Sequence, residues 1–250
     1  MHFICYFDEM SLLPSSYIDL KSICNTLLDM LYPPACMACG QELFHQDTRV
    51  LCNVCLSSVS PFYYHDRPPK LFLGYHKGPL RKVIKDFKRG DSKKAVQFLS
   101  SLLGRLVKNT YGRVDGLLAV PSSKNTIEGR EPAQIIAAEV SRTSGIELLS
   151  SSLLYKSRLT KKQAYLSVEQ RWRNLQDSFK ADQSLHNCEL LLIDDVMTTG
   201  ATIIECTKAV ESVGGKIFGT AFLAKRPLFV YTSNYAIDQQ FLASSTESSS

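Results

Sequence analysis

The chain has no apolar run long enough to cross a bilayer, which takes about 20 consecutive apolar residues. Its opening, MHFICYFDEMSLL, has no Lys or Arg, and Asp8 and Glu9 interrupt its apolar residues, so it does not read as an export signal. These absences argue against membrane insertion and predict a cytoplasmic protein. Nor is there a large excess of one charge. The 29 Lys and Arg against 24 Asp and Glu leave a net charge of +5, too little to imply a nucleic-acid partner from the total alone. No internal repeat is visible. The single tryptophan, Trp172, sets no pattern, and a lone Trp usually packs in a core.

What is present suits a globular protein. The 250 residues, 44% hydrophobic, allow one good-sized domain and a small appendage. Residues 1–32 predict an N-terminal helical segment, with Ile18, Ile23, Leu27 and Leu31 at helical spacing before Pro33 and Pro34 stop it. Residues 33–60 form a cysteine module, and SPFYYHDRPPK, about 60–70, reads as a Pro-rich linker. From 70 to 230, apolar runs such as LFLGYH, GLLAVP, CELLLIDD and KIFGTAFLAK alternate with helical patterns. That alternation predicts an α/β domain whose parallel sheet is covered on both faces. Residues 232–250, ending SSTESSS, predict a disordered tail by composition.

Four of the eight cysteines form two CxxC pairs, Cys36/Cys39 and Cys52/Cys55, separated by twelve residues. Without an export signal, this pattern favours a metal over disulfides. Two such knuckles complete a tetrahedral zinc site, and four thiolates leave no open position, so the zinc is expected to be structural. A segment this short could not fold on its apolar core alone. His45, between the pairs, is expected at the surface, and Cys5, Cys24, Cys188 and Cys206 as small buried hydrophobes.

The stretch LLLIDDVMTTGAT, residues 190–202, runs from four apolar residues into Asp194 and Asp195 and then into a small, hydroxyl-rich loop before a helix. Exposed N–H groups at such a helix start favour an anion, and Gly200 lets the backbone come close to it. A phosphorylated sugar fits, with its phosphate in the loop and ribose hydroxyls on the acids. A divalent cation commonly accompanies such carboxylates. On spacing alone, the pair could equally belong to a strand-to-helix turn with no ligand.

This stretch closely resembles the ribose-phosphate loop of type I phosphoribosyltransferases. The resemblance implies that Asp194 and Asp195 hold the ribose of phosphoribosyl pyrophosphate, with Mg²⁺, and that Thr198, Thr199, Gly200, Ala201 and Thr202 hold its 5′-phosphate. The combination with a CxxC/CxxC module resembles the ComF (ComFC) family of competence-associated proteins, through LYPPACMACG, YHKGPLRKVIKDFKRGD and LYKSRLTKKQAYLSVEQRWRNLQDSF as well. That family's link to natural transformation implies a role in DNA uptake, with DNA-uptake proteins and single-stranded DNA as partners. The pyrophosphate side would fall at Ser122, Ser123 and Arg130. There the chain departs from the family, reading REPAQ where R-G-F-N-Q is usual, and Glu131 would repel a polyphosphate unless a metal or lysine intervened.

Basic residues cluster twice. Arg81, Lys85 and Lys88 share one side of a helix whose other side carries Leu80, Ile84 and Phe87. Lys161, Lys162 and Arg171 lie among Tyr155, Tyr165 and Trp172, a mixture that suits a single strand or a mobile lid over a pyrophosphate. Two functions therefore stand open. One is a phosphoribosyltransferase of unknown acceptor; the other is a non-catalytic single-stranded nucleic-acid-binding component of DNA uptake.

Overall fold

A computed structural model describes residues 33–43, 50–122, 131–157 and 175–227. The helix expected before Pro33, His45, Ser123, Arg130, Lys161, Lys162, Arg171, Trp172 and the C-terminal tail lie outside the described residues.

The chain leaves the cysteine module through a short helical turn, α1 (Asn53–Leu56), and enters strand β1 (Phe62–Tyr64). Strand β2 (Lys70–Phe72) and helices α2 (Gly78–Phe87) and α3 (Lys93–Tyr111) follow. Next come β3 (Gly116–Ala119), α4 (Pro132–Ser144), β4 (Leu154–Lys156) and β5 (Phe179–Ala181). The long strand β6 (Glu189–Met197), helix α5 (Ala201–Ser212) and strand β7 (Lys216–Lys225) complete the described order.

Five strands form one sheet in the order β1-β2-β7-β6-β3, parallel except for β1, and β4 pairs with β5 in a separate antiparallel ribbon. The expected parallel α/β sheet is therefore found, with one antiparallel edge. That edge corrects the linker reading of residues 60–70. Phe62 and Tyr63 pair with Phe72 and Leu71, and the Phe62 ring stacks on Phe72 at 5.0 Å. Aromatic cross-strand pairs stabilise a sheet, so a Pro-flanked aromatic run can pair at an edge.

Alternation along β6 divides the core. Leu191 and Ile193 face α2, α3, α4 and the cysteine module, whereas Leu190 and Leu192 face α5 and the β4–β5 ribbon. Helix α2 begins at Gly78, in the left-handed region at φ +51°, with Pro79 in its first turn. It buries Leu80, Val83, Ile84 and Phe87, the i, i+3, i+4, i+7 stripe. Helices α3 and α4 approach closely at Gly104. A Cβ there would lie 2.8 Å from Thr143 Cβ and 3.0 Å from the Val140 carbonyl. Ser92 is the N-cap residue of α3, but its side chain makes no capping bond.

Candidate ribose-phosphate site

Strand β3 stops at Ala119, opposite Ile193, and the last bond on that side is Val120 N–H to the Ile193 carbonyl at 2.9 Å. Strand β6 continues to Met197, pairing only with β7, where Asp194 stands opposite Phe222. Asp194 and Asp195 are thus not at the strand's end, as the sequence suggested. They sit inside it, at the point where its β3-side edge becomes free. That leaves a free strand edge at the carboxyl end of the sheet, the position of the crevice in which ligands of open α/β folds bind.

Because neighbours on a strand point to opposite faces, the two carboxylates diverge. Asp195 turns to the α2 side and is almost fully buried, at 8% exposure, with Lys88 Nζ at 2.6 Å from its Oδ2. Asp194 is half-buried on the other side, and its Oδ1 accepts the Asp195 N–H at 2.8 Å. Burial and the Asp195 charge push the Asp194 carboxyl up to about 8, against the lowering pull of that N–H, Lys88 and Lys156. Around Lys88 lie more cations. Burial lowers His76, and the charges of Arg226, Lys88 and Arg81 lower it further.

The loop after β6 leaves backbone N–H groups open at the start of α5. Gly200 adopts φ +81° at the start of α5, a conformation that L side chains rarely take. Thr199 Oγ1 accepts the Ala201 N–H at 3.4 Å, but α5 has no other side-chain cap. The Thr202 and Ile203 N–H groups take no acceptor among the described residues. Thr198, Thr199, Gly200 and Thr202 are half-buried and line this helix start with Ala201. Orphan N–H groups and the helix dipole both favour a phosphate there.

The β3 side differs. Glu131 is the N-cap of α4, and its carboxylate accepts the Gln134 N–H while the Gln134 side chain accepts the Glu131 N–H at 3.3 Å. The same carboxylate accepts the Ser122 N–H at 2.7 Å. The REPAQ departure thus makes a capping box. Sequence reading missed this capping box; Lys156, one of the cations in the second basic, aromatic segment, lies half-buried on β4 with its ammonium 5.4 Å from the Phe179 ring centre. Burial lowers its pKa, while the charges of Cys206, Glu131 and Asp194 raise it. The lysine that could offset Glu131 is therefore present. The E-x-x-Q spacing after a loop was a legible capping signal.

The cysteines meet as expected. All four Sγ atoms of Cys36, Cys39, Cys52 and Cys55 lie within 4.8 Å of one another, and Cys39 Sγ is 3.7 Å from Cys52 Sγ. A tetrahedral zinc with Zn–S of about 2.3 Å places its sulfurs roughly 3.8 Å apart, so the cluster fits that ion. Gly40 at φ +80° closes the first knuckle, with its N–H on the Cys36 carbonyl at 2.8 Å. Burial opposes ionisation of Cys36, but backbone N–H groups outweigh it and bring the thiol to about 6. Burial and the neighbouring sulfurs push Cys55 well above the thiol range. Such a set needs a bound cation to hold four thiolates at neutral pH. Among the described residues, it is the one group of three or more His, Cys, Asp or Glu arranged for a metal. Asp194 and Asp195 therefore form no metal cage by themselves, and Mg²⁺ fits there only in company with a ligand's phosphates.

The α2 basic face is partly spent on internal pairs. Lys82 and Arg89 both pair with Asp86, and Lys88 pairs with Asp195. Arg81 and Lys85 are exposed and make no ion pair among the described residues.

Two family models agree with this organisation. The model of the Double zinc ribbon domain matches residues 27–67, and that of the Phosphoribosyl transferase domain matches residues 127–233. The first segment contains four cysteines, the ligands of one zinc. The DNA utilization protein YhgH of Escherichia coli K12 is 25% identical over 178 residues, covering 68% of this chain and 74% of that protein. The Shigella flexneri protein of the same name matches equally. An adenine phosphoribosyltransferase from Thermoanaerobacter pseudethanolicus aligns with TM-score 0.38 and 22% identity, over 60% of this chain and 75% of that one. A phosphoribosyltransferase from Corynebacterium diphtheriae aligns with TM-score 0.35 and 12% identity, over 69% and 89%. No helix among the described residues is long and apolar enough to cross a membrane.

Proposed function

The chain carries a phosphoribosyl transferase domain behind an N-terminal double zinc ribbon, the arrangement of the ComF family, and from this premise we propose that it binds a ribose 5-phosphate, as phosphoribosyl pyrophosphate or a related ribose phosphate. The observation that carries this reading is the junction of β6 and α5. An anion-ready helix start lies five residues beyond two carboxylates at the free edge of a strand. The 5′-phosphate sits on the N–H groups and hydroxyls of Thr198–Thr202. The ribose lies over the strand edge, where the diverging Asp194 and Asp195 can each accept one hydroxyl. Lys88 is paired with Asp195 at 2.6 Å until a hydroxyl takes its place. Mg²⁺ arrives with the ligand's phosphates and screens their charge.

Transfer of the ribosyl 5-phosphate with release of pyrophosphate is the reaction this domain supports. Incubation with phosphoribosyl pyrophosphate, Mg²⁺ and a panel of nucleobases tests it. Pyrophosphate release that is lost in Asp194→Asn/Asp195→Asn would establish transfer. No release across the panel would reduce the function to ligand binding.

A second reading has its own observation. Arg81 and Lys85 stand exposed on α2, and Tyr75 is 39% exposed just before it, with Lys77 Nζ 5.7 Å from its ring centre. Unspent cations beside an exposed ring suit single-stranded DNA. The YhgH relatives are DNA utilization proteins. The two readings are compatible, because α2 and the crevice meet at Lys88.

A further inference from the structure

Two helix starts meet at the same crevice, and the chain treats them oppositely. That of α5 leaves the Thr202 and Ile203 N–H groups open among the described residues. That of α4 is filled by the chain's own carboxylate. Glu131 takes the Gln134 N–H and, at 2.7 Å, the Ser122 N–H of the loop that leaves β3. Strands β3 and β6 are hydrogen-bonded neighbours up to Ala119 and Ile193, so these two starts flank one opening. An anion on the β3 side would have to break the charge-assisted hydrogen bond from the Ser122 N–H to Glu131 and then lie beside a carboxylate. The nearby cation does not remove the obstacle. Lys156 lies half-buried within electrostatic reach of Asp194 as well as Glu131, so its charge does not answer Glu131 alone.

We propose that Glu131 is a built-in occupant of the anion position on the β3 side. The crevice therefore takes a ribose ester with a single phosphate group, such as ribose 5-phosphate or a nucleoside 5′-monophosphate, in preference to one with a second anionic group at C1. Glu131 is thus a specificity-determining residue. The inference rests on the ribose-phosphate reading above and names which ribose phosphate that site selects. It also gives the REPAQ departure a use, since an N-cap residue that could not accept the Ser122 N–H would leave a second anion position open.

Isothermal titration of the full chain with ribose 5-phosphate and with phosphoribosyl pyrophosphate, both in Mg²⁺, tests the inference. The wild type is expected to bind ribose 5-phosphate at least about tenfold more tightly. In Glu131→Gln, which keeps an oxygen acceptor but removes the charge, the affinity ratio should move at least about tenfold toward phosphoribosyl pyrophosphate. Glu131→Gly is the second variant, since Gly at an N-cap is tolerated with little loss of helix stability. Equal or tighter binding of phosphoribosyl pyrophosphate by the wild type would overturn the inference and leave the ribose-phosphate reading standing. So would a ratio unchanged in both variants. Failure of the wild type to bind either ligand would overturn both.

Discussion

Asp194 is the residue on which the electrostatics of the site turn. Its carboxyl moves from 3.8 to about 8 because burial and the Asp195 charge disfavour the anion. Between those two values the folded protein holds a proton that the unfolded chain has released. The stabilisation from this group is therefore fully present below 3.8 and is lost as pH rises through about 8. The melting temperature of the wild type should fall more steeply between about pH 6 and about pH 9 than that of Asp194→Asn, as scanning calorimetry would record. Parallel curves would refute the shift. Asp195, its neighbour, is instead paired with Lys88. Lys88→Met leaves an almost fully buried carboxylate without its partner, and should cost about 1 kcal/mol in urea unfolding, the low end for a group half open to solvent. The acid pair itself was legible from the sequence, but its divergence was not. A strand's alternation shows only when the strand is known to run on to Met197, three residues past the first acid.

The elements were legible to different degrees, and the reason is length. Helices α2, α4 and α5 and strand β7 announce themselves through apolar stripes, Gly–Pro punctuation and a continuous apolar run. The strands β1, β4 and β5 have three residues each, too few for a period to emerge, and only tertiary pairing makes them strands. The helix pair α3–α4 depends on Gly104. Gly104→Ala places a methyl against Thr143 and the Val140 carbonyl, and should cost about 1–3 kcal/mol despite the better helix propensity of Ala. Thermal unfolding checks the sign, which propensity alone would reverse. The four-cysteine module was legible down to its ligands because the spacing of a metal knuckle is itself the signal. What the spacing did not tell is how firmly it is built in. Cys36, Leu43, Leu51 and Cys55 belong to one core cluster with Leu80, Phe87 and Leu103. Metal removal should therefore destabilise the main domain as well as the module. A chelator, or Cys52→Ala, should lower the single melting transition and abolish a stoichiometry of about one zinc per chain. Purified protein with no bound zinc would contradict this.

Taken whole, the molecule places a basic helix face and the proposed ribose-phosphate site at the same end of one sheet, with Lys88 between them. Single-stranded DNA binding through Arg81 and Lys85 should weaken with salt. Replacing both by Ala should reduce the slope of log affinity against log salt by about 0.7 for each phosphate that the face no longer neutralises. An unchanged slope would clear this face of a nucleic-acid role. The account's central claim, however, is the ligand of the β6–α5 junction. It is tested most directly by calorimetric titration of ribose 5-phosphate into the wild type and into Asp194→Asn/Asp195→Asn, with circular dichroism to confirm that both are folded. The account predicts saturable binding of one ribose 5-phosphate per wild-type chain, tighter as pH rises because hydroxyls donate to the ionised Asp194, and at least about tenfold weaker in the double variant. Binding by the folded double variant as tight as by the wild type, or no binding by the wild type, would contradict it.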